Sequence, residues 1–444
     1  MIQNLKPYPV YKESGLPWIG KIPSHWKVEK VKHNFRYKKV KNARGLNKNV
    51  LSLTLNGVIN NDIDNPIGLS PKDYATYQLF EKNDLVFKLI DLENIRTSRV
   101  GLVHENGIMS SAYLRLIENK GNDVKFFYHQ FYDLYSRAVY NKLGAGVRST
   151  LGPEDLKNLQ ILVPEIKEQK LISAFIDNIN HRINRTIAAK KKLIALLNEQ
   201  KQAIIHRAVT RGLDPNVKLK DSGIPWIGKV PEHWEVRKLK NLGKSIIGLT
   251  FSPGDLTDSG CRVFRASNVR NGKILFNEDD YFLNQSIPKK LMILKNDILI
   301  CSRSGSKELI GKNAIVEDII EKCTFGVFMT VYRSECNKYV YWVLNSQIFS
   351  SNLGLFFTST INQLTRHDLD NMYITLPPKN EQDIICEYLK NEIEKINNII
   401  RLEDDNCKLI NEYKIKLISE IVTGKINLKD IAKNTSNVKG AKNE

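Results

Sequence analysis

Two segments of the chain carry apolar residues at spacings of three, four and seven, which predicts a long helix with one apolar stripe in each. The first segment starts at Glu168 and the second at Glu381, and neither contains proline or glycine over about forty residues. Each is therefore predicted to form an unbroken helix of roughly 60 Å. A lone helix cannot bury such a stripe, so each needs a partner. The stripes comprise Ile172, Ile176, Ile179, Ile183, Ile187, Ile194, Leu197, Ile204 and Ala208 in the first segment, and Ile385, Leu389, Ile393, Ile396, Ile400, Ile410, Leu417 and Ile421 in the second.

Outside these segments, short apolar runs predict strands and longer periodic runs predict helices. Strands are expected in LVFKLI (85–90), DILICS (297–302) and TVYRS (330–334). Helices are expected in DVKFFYHQFYDLYS (123–136) and YVYWVLNSQIFSSNLG (339–354). Together they predict two mixed domains, here called the first domain (27–150) and the second domain (235–363).

One motif occurs twice, as SGLPWIGKIPSHW at 14–26 and as SGIPWIGKVPEHW at 222–234. We call each copy a clasp. Its prolines and glycines predict turns rather than regular structure. Its large rings, Trp18 and Trp26 in the first copy and Trp226 and Trp234 in the second, are expected to dock on another element.

A second repeat aligns LGPEDLKNLQILVPEIKEQ (151–169) with LTRHDLDNMYITLPPKNEQ (364–382) and continues without a gap through both long helices. The chain therefore consists of clasp, domain and long helix, twice over. The first helix ends at the second clasp, so the second helix pairs with it only by running back. An α+β fold is thus predicted, with two mixed α/β domains at opposite ends of a pair of long antiparallel helices, an intramolecular coiled coil with a pseudo-twofold axis.

This arrangement places Trp18 and Trp26 near the end of the second helix, and Trp226 and Trp234 near the end of the first. The predicted boundaries are 1–150 for the first clasp and domain, 151–212 for the first helix, 213–363 for the second clasp and domain, 364–424 for the second helix and 425–444 for a polar tail.

Charge points to the partner. The chain has a formal net charge of +19, which favours a polyanion such as DNA, although basic composition alone is weak evidence. The first helix segment (165–212) has a net charge of +6 and the second (379–425) of −2, which suits an intramolecular pair. The alternative is that each helix binds a different protein.

A pair of basic domains related by a twofold axis suits a DNA duplex, whose strands have the same symmetry. Arginine and lysine bind phosphates and guanine, so basic residues in loop-like strings are the candidates for DNA contact. Each one taken singly is more often a solvated surface residue. The candidates are Lys88, Arg96, Arg99 and Arg148 in the first domain, and Arg265, Arg270, Arg303 and Lys307 in the second.

Cysteine and histidine spacing favours no metal site, because the six cysteines form no CxxC pair and the histidines form no HExxH pair. The scattered cysteines indicate reduced thiols, and no long apolar run or signal-like N-terminus is present. A cytoplasmic protein without a membrane segment is therefore expected.

The paired clasps, the two helix entries of the form DL-N-PxxxEQ, and the string NDLVFKLIDLENIRTSRVGLV...GIMSSAYL at 83–114 resemble the specificity subunits of bacterial type I restriction-modification systems. The resemblance covers nearly the whole chain. It implies two target-recognition domains, each reading half of a split DNA sequence. It also implies double-stranded DNA, two modification (methyltransferase) subunits and restriction (motor-nuclease) subunits as partners. No cofactor is expected in this chain, because the resemblance assigns S-adenosylmethionine, ATP and Mg to the partner subunits.

Two rival functions remain open from the residues alone. One is a bipartite DNA-binding adaptor or transcription factor, or an RNA-binding adaptor, built on the same helices. The other is a self-contained nuclease using Asp155, Glu165 and Lys167, which offer the two carboxylates and lysine of a Mg²⁺-dependent site. The paralogous positions Pro378 and Asn380 count against that nuclease. No P-loop and no [DN]PP[YF] methyltransferase motif is present.

Overall fold

The computed structural model describes residues 6–43, 45–55, 57–66, 71, 73–90, 92, 99–143, 150–276, 280–318, 322–356 and 363–429. The chain divides into two compact units. Unit 1 contains residues 1–189 and 405–444, and unit 2 contains residues 190–404.

The two longest helices occupy the segments that the apolar spacing indicates, each running from one unit into the other. They are α4, of 46 residues, and α8, of 44 residues. The helices are α1 Val124–Ser136, α2 Val139–Leu143, α3 Pro153–Asn158, α4 Ile166–Arg211, α5 Asn337–Leu344, α6 Gln347–Phe356, α7 Arg366–Asn371 and α8 Lys379–Val422.

Short strands, with several 3-10 turns between them, make up the remaining regular structure of the described residues. Those of unit 1 are β1 Tyr11–Glu13, β2 Lys21–Pro23, β3 Lys27–Lys30, β4 Phe35–Tyr37, β5 Leu51–Thr54, β6 Gly57–Asn60, β7 Gln78–Phe80, β8 Leu85–Phe87, β9 Val100–Leu102, β10 Gly107–Met109, β11 Leu114–Glu118 and β12 Gln160–Val163. Those of unit 2 are β13 Leu219–Asp221, β14 Lys229–Pro231, β15 Glu235–Lys238, β16 Gly243–Ile247, β17 Leu256–Thr257, β18 Cys261–Phe264, β19 Val269–Arg270, β20 Lys273–Ile274, β21 Tyr281–Leu283, β22 Ile298–Cys301, β23 Asn313–Ile315, β24 Cys323–Phe325, β25 Met329–Ser334 and β26 Tyr373–Leu376.

Each unit is built on an antiparallel four-stranded sheet of the same order. In unit 1 the order is β4-β11-β8-β9, and in unit 2 it is β16-β25-β22-β23. Each unit also contains parallel β-pairing outside its central sheet. In unit 1 it is a single bridge between Val50 and Ile108, and in unit 2 it joins strands β18 and β24. The two domains are therefore variants of one fold.

The apolar stripes of the long helices are buried near the helix ends and half-buried in the middle, as at Ile187 and Ile194. In unit 1, Ile172 and Ile176 of α4 share a core with Ile421 of α8. In unit 2, Ile205 of α4 shares a core with Leu389 of α8. Each helix therefore covers part of the other's stripe, as the need for a partner predicts.

Polar contacts show the direction of the helices in unit 2. Lys190 Nζ lies 2.5 Å from a Glu403 carboxylate oxygen, and Lys201 Nζ donates to Asn397 Oδ1 at 3.0 Å. The partner's residue number falls as the α4 residue number rises. The two helices are therefore antiparallel there, as predicted.

One interhelical contact occurs twice. Lys414 donates to Asn184 at 3.3 Å in unit 1, and Lys201 donates to Asn397 at 3.0 Å in unit 2. In the ungapped register of the two repeats these contacts are equivalent, since Asn184 matches Asn397 and Lys201 matches Lys414. Burial lowers the pKa of both lysines. The duplicated sequence therefore makes the same helix contact in each unit.

Two sequence predictions are wrong in detail. Part of each clasp is regular, because β2 pairs with β1 and β14 pairs with β13 in two-stranded hairpins. The helix expected at 339–354 is two helices, α5 and α6, separated at Asn345 and Ser346. The Ser346 hydroxyl accepts the Ile348 N–H at 3.2 Å, which starts the new helix in place of the old one.

Candidate nucleic-acid interface

The central sheet of unit 1 is fixed by a polar turn before β8. Asn83 has a φ of 72° and donates its N–H to the Val103 carbonyl at 2.8 Å. The Asp84 carboxylate accepts the Glu81 N–H and the Arg115 Nε–H, both at 2.6 Å. Burial raises the pKa of Asp84, and this outweighs the lowering effect of these hydrogen bonds. The start of β8 is therefore held by buried polar contacts between Asp84 and Arg115.

Unit 2 repeats this arrangement before β22. Asn296 has a φ of 67° and donates its N–H to the Val316 carbonyl at 2.7 Å. The Asp297 carboxylate accepts the Leu294 N–H at 2.7 Å and two bonds from Arg333, at 2.7 and 2.6 Å. The same frame thus positions the loop after β22, although few surrounding residues match.

The far ends of β8 and β22 are also tied down alike. Leu151 donates its N–H to the Leu89 carbonyl at 2.9 Å, and Leu364 donates its N–H to the Ser302 carbonyl at 2.8 Å. Both leucines belong to the repeat that precedes the long helices. The chain that directly follows β8 and β22 is therefore held at the corresponding end of each central sheet. Of the described candidates, Lys88, Arg99, Arg303 and Lys307 lie in or beside these segments.

In the first domain, the described candidates are partly or fully covered. Lys88 is half-buried and donates its N–H to the Arg99 carbonyl at 2.9 Å. Arg99 is 1% exposed, and its Nη2 donates to the Leu92 carbonyl at 2.7 Å. Arg96 and Arg148 lie outside the described residues. In this conformation the Arg99 side chain is buried against the Leu92 carbonyl, and its contact with DNA stays a prediction.

In the second domain, Arg303 and Lys307 are both exposed in the loop after β22. The Arg303 guanidinium carbon lies 5.9 Å from the centroid of the Phe328 ring. Arg303 occupies the position that Ile90 holds in the first domain, by the same register that matches Asp84 to Asp297. This edge is therefore basic in unit 2 at a point where unit 1 carries an apolar side chain.

Unit 2 has a further four-stranded sheet, of order β17-β21-β18-β24, and a two-stranded sheet, β19-β20. The other two candidates of the second domain, Arg265 and Arg270, follow β18 and end β19. The Arg265 guanidinium carbon lies 3.5 Å from the centroid of the Tyr281 ring, and the residue is half-buried. Arg270 is exposed at the end of β19, before the left-handed turn residue Asn271 with a φ of 53°. The candidates of the second domain therefore form two groups, Arg303 and Lys307 after β22, and Arg265 and Arg270 near β18 and β19.

The first clasp packs on the end of α8. Trp26 is fully buried, and a Cβ on Gly424 would collide with Pro23 and lie 3.2 Å from the Trp26 ring. Gly424 follows α8 with a φ of 75°, so both conformation and space favour glycine there. Trp18 is partly buried, and its carbonyl accepts a bond from Arg137 at 2.5 Å.

The second clasp packs on the end of α4 in the same way. Trp234 is fully buried, and a Cβ on Gly212 would lie 3.2 Å from its ring. Trp226, in contrast, is 36% exposed. Each clasp therefore uses its second tryptophan to cover the end of a long helix.

A carboxylate at the start of α4, Glu168, anchors the first clasp. Glu168 accepts bonds from the Tyr8 hydroxyl at 2.6 Å and from His25 Nε2 at 2.8 Å, and Lys429 Nζ lies 3.4 Å away. Burial alone would raise the pKa of Glu168, but the bonds from Tyr8 and His25 outweigh it and lower the pKa. The clasp is therefore held by charge and hydrogen bonding as well as by its buried ring.

Glu381 has the same role in the second clasp. It accepts bonds from His233 Nε2 at 2.8 Å and from Trp234 Nε1 at 3.0 Å. The sequence carries a signal for both anchors, because each clasp ends in His-Trp and each long helix carries Glu-Gln in its first turn. Spacing alone does not show that the two motifs meet.

The aspartate of the nuclease hypothesis has a structural role. Asp155 Oδ2 accepts the Gly152 N–H at 2.8 Å at the start of α3, and the repeat-matched Asp368 Oδ2 accepts the Thr365 N–H at 3.2 Å at the start of α7. Such capping explains why this aspartate occurs in both repeats. Over the described residues, no cluster of three or more histidine, cysteine or acidic side chains is placed to hold a metal ion.

Membrane insertion has no support from the helices. Across the described part of the chain, no helix combines the length and hydrophobicity that a membrane-spanning segment requires.

Comparison with known proteins agrees with this architecture. The family model described as "Type I restriction modification DNA specificity domain" matches residues 27–197 and 231–404. The MjaVIII type I restriction enzyme specificity subunit of Methanocaldococcus jannaschii is 27% identical over 340 residues, covering 74% of this chain and 76% of that protein. The putative MjaX specificity subunit of the same organism is 24% identical over 444 residues, covering 93% of this chain and 96% of that protein.

A solved structure, from work on complex assembly and conformational transition of the type I R-M system, has a similar fold. Its TM-score is 0.67 at 13% identity, with 90% of this chain and 98% of that chain covered.

The duplicated domains, with loops of differing charge on a common frame, define a DNA-recognition protein of two related halves. Because the family model covers most of its length in two matches, the chain belongs to the type I restriction-modification DNA specificity family. Its role is that of the specificity subunit, which recognises the DNA target and directs methylation and cleavage by partner subunits.

Proposed function

We propose that the first domain reads one half of a split DNA target, that the second domain reads the other half, and that this chain performs no chemistry itself. The observation that carries the proposal is the shared frame with different loops. The Asn-Asp-Arg arrangement recurs at β8 and β22, whereas the edge beyond it carries Ile90 in one domain and Arg303 in the other. Two readers with one frame and different edges suit two different half-sites.

In this proposal the partners are two modification subunits, which hold S-adenosylmethionine and methylate adenine, and restriction subunits, which use ATP and Mg. The long helices expose several apolar side chains in each unit, which suits the binding of a partner protein. They are Leu193, Leu196, Ile384, Tyr388, Ile399 and Leu402 in unit 2, and Ile166, Leu409, Tyr413 and Ile415 in unit 1.

The test is a map of N6-methyladenine by single-molecule sequencing in cells that express this chain with its modification subunit. One split motif is expected. Exchanging residues 27–150 for the first domain of another specificity subunit should change one half-site and preserve the other. A change in both half-sites would contradict independent reading, and methylation that does not depend on this chain would favour the adaptor function.

A further inference from the structure

An exposed aromatic side chain lies beside Arg303, next to the loop that follows β22 in the second domain. Phe328 is 55% exposed and its neighbour Val327 is 38% exposed, in the turn between β24 and β25. The Arg303 guanidinium lies 5.9 Å from the Phe328 ring. No ion pair to Arg303 is formed by the carboxylates of the described residues, whereas Arg262 pairs with Asp280 in the same domain.

The turn is held rigidly. The Phe328 carbonyl accepts the N–H groups of Ser302 and Arg303 at 3.0 and 3.1 Å, and Val327 donates its N–H to the Leu249 carbonyl at 2.9 Å. Close beside it, a Cβ on Gly248 would collide with the backbone of the residue before Val327, so the two chain segments are in close contact. Rigid placement of an exposed ring lowers the entropy lost when a partner binds it.

The charge of this edge selects the partner. Arg303 and Lys307 are both exposed here, in a chain with a net charge of +19, and both suit a polyanion. In the major groove, arginine pairs with guanine O6 and N7, and an apolar side chain contacts the C5-methyl group of thymine. The Arg303 guanidinium and the Phe328 ring, 5.9 Å apart, can reach two adjacent base pairs, which are spaced by about 3.4 Å.

We propose that Phe328 is a specificity-determining residue that contacts a thymine methyl group, next to a guanine bound by Arg303, in the half-site read by the second domain. This inference rests on the proposed function and names one feature of its target. The half-site assigned to the second domain should contain a G·C pair directly next to an A·T pair, with the guanine and the thymine on either strand.

The test uses the full chain in complex with its modification subunits and duplexes carrying the mapped target. Each thymine of the second half-site is replaced in turn by deoxyuridine, which lacks the methyl group, and binding is measured by fluorescence anisotropy. One replacement should weaken binding about fourfold, the effect of one buried methyl group. The Phe328→Ala variant should bind more weakly and should no longer distinguish thymine from deoxyuridine at that position.

Phe276→Ala is the matched control, because Phe276 is 45% exposed and lies 5.2 Å from the Arg262 guanidinium, which is paired with Asp280. This variant should keep the discrimination. The proposal is overturned if the half-site lacks such a thymine, if Phe328→Ala retains the discrimination, or if it weakens every duplex equally, as a nonspecific wedge would. If the second half-site does not depend on residues 213–363, the proposed function itself fails, which the methylation map shows separately.

Discussion

The central sheets of the two units share strand order and an Asp–Arg pair, yet they bury that pair to different extents. The Arg115 side chain in unit 1 is 3% exposed, whereas that of Arg333 in unit 2 is 28% exposed. Arg333 compensates with a bidentate bond to Asp297, while Arg115 makes one bond to Asp84 and a 3.2 Å contact with Glu81. A common frame therefore tolerates different surroundings as long as its polar contacts are complete.

The largest effect should come from removing the carboxylate of the frame. Asp84→Ala leaves a buried guanidinium with a weaker partner and should destabilise unit 1 by about 3–5 kcal/mol. Asp297→Ala should cost unit 2 less, about 1–3 kcal/mol, because water reaches Arg333. Hydrogen exchange of peptides from β8 and β11, and from β22 and β25, measures each locally. Equal losses of stability in the two units would contradict the prediction that the more buried pair contributes more.

The next largest difference between the units should be their stability in acid. Burial lowers the pKa of His129 in α1 to about 4 from 6.5, so the folded state resists protonation. Below pH 6.5 the unfolded chain binds the proton first, and unit 1 should lose about 3 kcal/mol as the pH falls to about 4, at about 1.36 kcal/mol per pKa unit. The register-matched residue in unit 2 is Trp342, which does not titrate. The measurement is urea unfolding against pH.

His129→Leu is the control for this prediction, because it removes one titrating group and leaves the carboxylates in place. The difference between the two pH profiles isolates the histidine. If the variant loses stability between about pH 6.5 and 4 as steeply as the original protein, His129 does not account for the acid sensitivity of unit 1.

Much of the fold could be predicted where the signal in the sequence is long. About forty residues of regular spacing define α4 and α8, and the clasp repeat indicates where Trp26 and Trp234 lie. The shared frame has only a short signal, Lys-Asn-Asp at 82–84 and at 295–297. Three matched residues do not stand out from chance in a chain of this length.

The candidate interface was less predictable, because charge in a sequence does not reveal where a side chain points. Arg99 lies in a string rich in polar residues, yet its side chain is buried against the Leu92 carbonyl. The sequence does not single out Phe328, since an aromatic residue between two apolar runs is typical of a core. Both cases depend on tertiary packing, which local patterns do not contain.

The two glutamates that anchor the clasps should differ in the same way, with smaller losses of stability. The Glu168 side chain is 3% exposed with three partners, whereas that of Glu381 is 29% exposed with two. Glu168→Gln should destabilise unit 1 by about 1–3 kcal/mol, because the amide places a donor against His25 or Lys429, and Glu381→Gln should cost less. Urea unfolding of the two variants measures both losses, and a larger loss for Glu381→Gln would contradict the ranking by burial.

The pH dependence checks the cause. The folded pKa of Glu168 is lowered, so its stabilising effect is present above the ordinary pKa of 4.5 and is lost as the pH falls through the lower folded value. Unfolding of Glu168→Gln should lack this part of the acid dependence. An unchanged acid profile would assign it to other carboxylates.

The smallest effect is expected where equivalent positions of the two repeats contact each other. Lys190 and Glu403 are equivalent positions in the ungapped register, and they form an ion pair at 2.5 Å in unit 2. Identical charged residues at both positions would repel, so the two repeats must differ here. Lys190→Glu or Glu403→Lys should each cost about 1 kcal/mol, and the double exchange should restore most of it, because the pair is only partly buried. Urea unfolding of the four proteins gives the coupling energy, and a double variant no more stable than the single ones would mean that the difference between the repeats at this position is not electrostatic.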